Sequence, residues 1–173
     1  MGESTARQHR RTTNIQLAAQ VSRDVELESI LLRSAQVEAL ADETEHLSLA
    51  EIRVDQKSRA SYRIVTEPRR LKVALEFVLD LAHGQQDAQS PVLHLAAQYM
   101  LVYRLPEGSE YAEASLRWFA ELNATLNAWP YWRELVHTVA ARVGLGSITL
   151  PVFRAMPKPV DAQGNLEDAP AEV

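Results

Sequence analysis

Residues 71–82 read LKVALEFVLDLA, and every odd position is apolar: Leu71, Val73, Leu75, Phe77, Leu79 and Leu81. The even positions carry Lys72, Glu76 and Asp80. Successive side chains on a strand point to opposite sides, so a period of two sustained this long predicts a strand with one buried face. The run VLHLAAQYMLVYRL (92–105) repeats the pattern with Leu93, Leu95, Ala97, Tyr99, Leu101, Tyr103 and Leu105. The turn-rich HGQQDAQSP lies between the two runs, which predicts an antiparallel hairpin.

Working outward, RDVELES (23–29) alternates Val25 and Leu27 with acids, and Ile52, Val54, Tyr62 and Ile64 mark a more broken strand within 50–66. After Pro106-Glu107-Gly108 the period changes. Ser109 is positioned to cap a helix with Glu110 and Glu113 in its first turn, and Tyr111, Ser115, Trp118, Leu122 and Leu126 recur at spacings of three and four, with Phe119 beside them. In WPYWREL (129–135), Pro130 suits the first position of a second helix, with Tyr131, Leu135, Val139 and Val143 along one face and Gly144 as its stop. SITLPVF (147–153) is predicted as a short closing strand, and Ile15 to Ser22 as a helix before the first strand. Strands first and helices last predict an α+β fold, a four-stranded antiparallel sheet with two C-terminal helices on one face. The expected organisation is a disordered lead over 1–14, one domain over 15–154, and a disordered acidic, proline-containing tail over 155–173.

Bulk properties narrow the function. A chain of 173 residues can bury about 70% of its extended-chain surface in one domain. It contains no cysteine, which excludes disulfides, thiolate metal sites and cysteine nucleophiles. There is no apolar run of signal-peptide or membrane-spanning type, so a cytoplasmic location without membrane insertion is expected. The five histidines never form an i, i+4 ligand pair, and no glycine-rich phosphate loop or nucleophile elbow occurs; no enzyme, metal or cofactor is expected. A net charge of −5 argues against a dedicated nucleic-acid binder, although Trp129, Tyr131 and Trp132 near Arg133 keep a base-stacking module as a second alternative. Charge is segregated: residues 24–51 hold eight acids against Arg33, and residues 53–72 hold seven bases against Asp55 and Glu67. Two readings are open, pairing of neighbouring strands with opposite outward charges or a basic docking face, and strand pairing is the one expected.

The segment FAELNATLNAWPYWRELVHTVAARVGLGSITLP (119–151) resembles the hallmark region of the SecB family of protein-export chaperones, with Pro130, Tyr131, Arg133 and Glu134 at the motif positions. The resemblance runs from about residue 22 to 153, and Asp24 and Glu28 match the family's acidic first strand. It implies an ATP-independent holdase, a dimer of dimers, that binds unfolded polypeptides, keeps precursors export-competent and docks on the SecA motor through Asp24 and Glu28. Ala96 stands at the family's acidic position, bulkier residues around Met100 and Leu101 replace glycines, and Pro157 and Pro159 follow where a closing helix is usual. These departures are more like the SecB-like chaperones that protect an antitoxin, which is the alternative to export. Apolar residues expected to bind clients are Ile52, Val54, Val78, Val92, Met100 and Val102. Trp118, Phe119, Leu122 and Leu126 are expected at an oligomer interface, since the helix is apolar over a wide arc.

Overall fold

Residues 12–41, 52–84 and 90–167 are described by the structure, a computed structural model. Four strands, β1 (Glu26–Ala39), β2 (Ile52–Thr66), β3 (Arg69–His83) and β4 (Ser90–Arg104), form one antiparallel sheet in the order β1-β4-β3-β2. The predicted hairpin is its centre: Phe77 lies opposite Ala97 and Leu75 opposite Tyr99. The odd residues of β3 from Leu71 to Leu81 are all buried, while the even ones are only half-buried. Each buried Leu, Val or Phe contributes roughly 1.5–3 kcal/mol, so this register is strongly specified, because a one-residue slip would turn the whole row outward.

One face of the sheet is covered by a helical rod. Helix α2 (Glu113–Trp118), a π-helical stretch (Phe119–Ala124) and helix α3 (Thr125–Arg142) follow one another without a break, since Phe119 and Thr125 at the junctions keep right-handed helical dihedrals. The expected gap before Pro130 is therefore absent, and WPYWREL lies inside a helix. A line of buried residues, Ala124, Ala128, Trp132, Val136 and Ala140, passes the proline on its other side. Pro130 is exposed and forfeits one helical hydrogen bond, a cost of about 3 kcal/mol that the buried indole of Trp132 and its neighbours offset. Ser109 does not cap the helix either: its Oγ donates to the Pro106 carbonyl at 2.8 Å, and the helix starts after Ala112.

Helix α1 (Asn14–Ser22) begins at a capping box in which the Gln16 N–H donates to Thr13 Oγ1 and the Thr13 N–H to Gln16 Oε1. The closing strand expected over 147–153 does not form; the segment is unpaired and is pinned by α3, with Arg133 Nε donating to the Leu150 carbonyl at 2.7 Å and Trp129 Nε1 to the Pro151 carbonyl at 2.9 Å. The tail expected to be disordered is placed as far as Glu167. Asn14 donates to the Met156 carbonyl and accepts from the Lys158 N–H, and Val160 is buried against Ala18 and Trp118. Gly164, at φ +78°, offers its carbonyl to Trp118 Nε1 at 2.7 Å. A Cβ there would lie 2.4 Å from that of Ala114, so the glycine lets the tail press onto α2.

The expected charge pairing is also rearranged, because β1 and β2 are opposite edges and do not touch in the sheet. The acids of β1 are answered nearer by: Glu28 reaches across β4 to bind Arg70 of β3 through both carboxylate oxygens, and Glu26 accepts from Arg104 of β4 at 2.5 Å. Asp42, Glu43, Glu45 and Glu51 lie outside the described residues.

Candidate functional site

The rod is narrower than the sheet. It buries the central strands and leaves the outer rows of both edge strands uncovered. In β2, Val54 lies beside Leu81 and Ile64 beside Leu71, which puts both on the helix-covered side, yet Val54 is 49% exposed and Ile64 38%. Between them Ser58 and Ala60 face Glu121, Leu122 and Thr125 across a groove separating β2 from the rod. Tyr62 Oη donates to the Glu113 carbonyl at 3.3 Å and ties strand to helix. Neighbouring protein strips enough water from Glu121 to push its carboxyl above the usual carboxylate range, with Arg117 opposing the shift. As an edge strand, β2 also carries a row of backbone N–H and C=O groups with no strand partner.

The β1 edge is built differently. It is 14 residues long, and its exposed apolar residues lie on both faces: Leu27, Leu32 and Val37 on the helix-covered side, opposite Tyr103, Tyr99 and Leu95, and Leu31 on the other, opposite Met100. Breaks in register between Leu27 and Ser29 and between Leu32 and Ser34 mark bulges that twist the strand.

The six residues expected to bind clients do not form one patch. Ile52 and Val54 face the helix-covered side, Val78, Met100 and Val102 face the open side, and Val92 is buried in the core. Even positions of β2 lie beside odd positions of β3, which turns Ile52 and Val54 to the helix-covered side, and Val92 is buried next to Leu93 where the β3–β4 register breaks. Ile64, Leu27, Leu31, Leu32 and Val37 were missed, and ILL at 30–32 was the available signal.

Of the expected interface residues, Trp118 and Phe119 are consumed inside the protomer, Trp118 under the tail and Phe119 edge-on against Tyr103 at 4.9 Å. Leu122 is half-buried and Leu126 exposed. The base-stacking reading loses its platform, since Trp132 is fully buried, stacked on Phe77 at 5.3 Å, and Trp129 packs edge-on against the same ring. In the family motif, Pro130, Tyr131 and Glu134 are exposed, whereas Arg133 holds the segment after the helix. The acidic docking pair is engaged within the chain: Asp24 accepts from Tyr111 Oη at 3.1 Å, and the hydrogen bond from Arg70 holds the Glu28 carboxyl below its usual range. Among the described residues no cluster of three or more His, Asp or Glu could hold a metal, and no helix is long and apolar enough to cross a membrane.

No model of a known protein family matches the sequence, and no curated protein does so. Solved structures do match. A Mycobacterium tuberculosis SecB-like chaperone, solved in complex with a ChAD peptide from the HigA1 antitoxin, superposes with a TM-score of 0.67 at 17% identity, covering 82% of this chain and 99% of that one. A Streptococcus agalactiae protein of unknown function aligns with a TM-score of 0.35 at 14% identity, over 74% of this chain and 97% of its own. The fold is that of the SecB-like chaperone, an α+β sheet with its helices on one face.

Proposed function

We propose that this chain is an ATP-independent, cytoplasmic holdase that binds unfolded polypeptide, with an antitoxin as its client in preference to export precursors. The observation that carries the reading is the β2 edge, where unpaired backbone groups run beside exposed Val54 and Ile64 and a groove under the rod. An extended chain can add to such an edge through its backbone and place every second side chain against the apolar row, a recognition mode that tolerates many sequences. The sequence holds no phosphate-binding loop, so binding is passive. A SecB-like chaperone of the same fold carries an antitoxin peptide in its solved complex, which favours the antitoxin reading. The intramolecular engagement of Asp24 and Glu28 weighs against SecA docking through them. The β1 edge, apolar on both faces, suits a second copy of the chain, and Leu122 and Leu126 remain available on the rod for a further contact.

Light scattering of a denatured client, diluted with and without the protein and without nucleotide, tests the reading. Protection at stoichiometric ratios, strongest for a co-expressed antitoxin, is expected. Unchanged aggregation of every client, the antitoxin included, would refute it.

A further inference from the structure

The open face of the sheet carries two pairs of positive charges directly opposite one another, and among the described residues only one is answered by acids. Arg70 of β3 faces Arg104 of β4, an unfavourable arrangement for exposed cross-strand neighbours. Both guanidinium groups are neutralised from β1, Arg70 by Glu28 and Arg104 by Glu26, with Glu28 also 3.8 Å from Arg104. One row along the sheet, Arg63 of β2 faces Lys72 of β3. No acid among the described residues forms an ion pair with either. The row continues through Val102 to Ser29, neither of which is charged. Arg59 lies on the same face, opposite Glu76, and Lys57 pairs with Asp55 at 2.8 Å. Asp55 is thus paired with Lys57 and Asp80 with His94 at 2.6 Å, Glu76 lies opposite Arg59 without a close ion pair, and no acid among the described residues pairs with Arg63 or Lys72 beside the free edge.

The geometry points to acidic client segments as the preferred occupants of the β2 edge: an extended polypeptide alternating apolar with acidic residues, its apolar side chains toward Ile64 and Tyr62 and its carboxylates toward Arg59, Arg63 and Lys72. This deepens the holdase reading and rests on it. Strand addition makes the alternation obligatory, because successive side chains of the added strand fall on opposite faces. The helix-covered side of β2 presents Ala60, Tyr62 and Ile64 in that span, and the open side presents Arg59, Ser61 and Arg63. A client carboxylate beside Arg63 would do there what Glu28 does for Arg70. The face favours polypeptide over single-stranded nucleic acid because β2 and β3 bring no aromatic side chain to it for bases to stack on, their Tyr62 and Phe77 lying on the other side.

Short labelled peptides alternating valine with aspartate, with serine or with lysine test this by fluorescence anisotropy on the full chain. The aspartate peptide should bind about tenfold more tightly than the serine peptide at low salt, the combined effect of several exposed ion pairs. That advantage should shrink at high salt, and the serine peptide should be nearly salt-independent. Arg63→Ser with Lys72→Ser should abolish the advantage and leave serine-peptide affinity unchanged. Arg63→Glu, which gives Lys72 a favourable partner and so preserves the sheet, should lower the preference for aspartate. Equal binding of all three peptides overturns the acidic preference and leaves the holdase reading standing. If no peptide binds while aggregation is still suppressed, clients bind elsewhere and the proposal fails. Displacement of the aspartate peptide by a single-stranded oligonucleotide or by phosphatidylserine vesicles at comparable charge concentration also overturns it, in favour of a general polyanion site.

Discussion

The two edges of the sheet, β1 and β2, are of nearly equal length and equally free of strand partners, yet they are chemically unlike. The β1 edge shows leucines on both faces and spends its acids, Glu26 and Glu28, on arginines of its own sheet. The β2 edge has its exposed large apolar residues on one face and on the other presents Arg63, which pairs with no acid among the described residues. An edge apolar on both faces needs an occupant that covers both, which a second copy of the protein can do. An edge with one apolar and one charged face suits a single extended chain. On the proposed function, one sheet separates assembly from client binding by what its two margins carry.

The strongest way to break this comparison is to remove the centre that both edges depend on. Phe77→Ala deletes a ring that contacts Tyr99, Trp129 and Trp132, and should cost ~3–5 kcal/mol in denaturant unfolding, abolishing assembly and client protection together. Loss of only one of the two would show that the edges fold independently.

Leu31→Lys with Leu32→Lys should sharpen the contrast. Both side chains are about half exposed, so protomer stability should change by only about 0.5 kcal/mol per site, while sedimentation shows the mass falling to a single chain. Persistence of the oligomer would remove β1 from the interface. On the other margin, Val54→Asp with Ile64→Asp should leave the mass unchanged and weaken client binding about tenfold, through lost apolar burial beside the peptide. Full protection by that variant would place the client elsewhere.

The smallest effect is in acid. Glu28 has its carboxyl pKa depressed below 4.5 in the folded protein, chiefly by the hydrogen bond from Arg70. A depressed carboxyl stabilises the fold above its unfolded pKa, and that contribution is lost as pH falls through the lowered folded value. Glu28→Gln should therefore lower the melting temperature slightly near neutrality and flatten its decline below pH 4.5, where the native chain loses this ion pair. An unchanged acid limb would mean that Arg70 and Arg104 are compensated by solvent alone.

Strand content and the central hairpin were legible because side-chain alternation and strand geometry share one period: LKVALEFVLDLA has no other way to bury Phe77 and its neighbours together. The helix expected over Ile15 to Ser22 is present as α1, and the likeness of the region around Pro130, Tyr131, Arg133 and Glu134 to SecB pointed to the fold that the structure has. The rest required tertiary structure. Bulky residues suggested a helix face along Trp118, Leu122 and Leu126, but the rod turns another face to the sheet, with Ala120, Ala124 and Ala128 buried alongside Phe119, Trp129 and Trp132, whose rings pack on Tyr103 and Phe77. Pro130 signals a helix start only if the helix is free to stop before it, and burial of Trp129 and Trp132 carries the helix through. The sequence contains the apolar residues of β1 and β2 but not their exposure, because whether a leucine in a strand is core or edge depends on which strand lies beside it. Strand order, set by the packing of the whole sheet, decided that β1 and β2 lie at opposite margins, and with it which charges of the described residues are answered within the sheet and which are not.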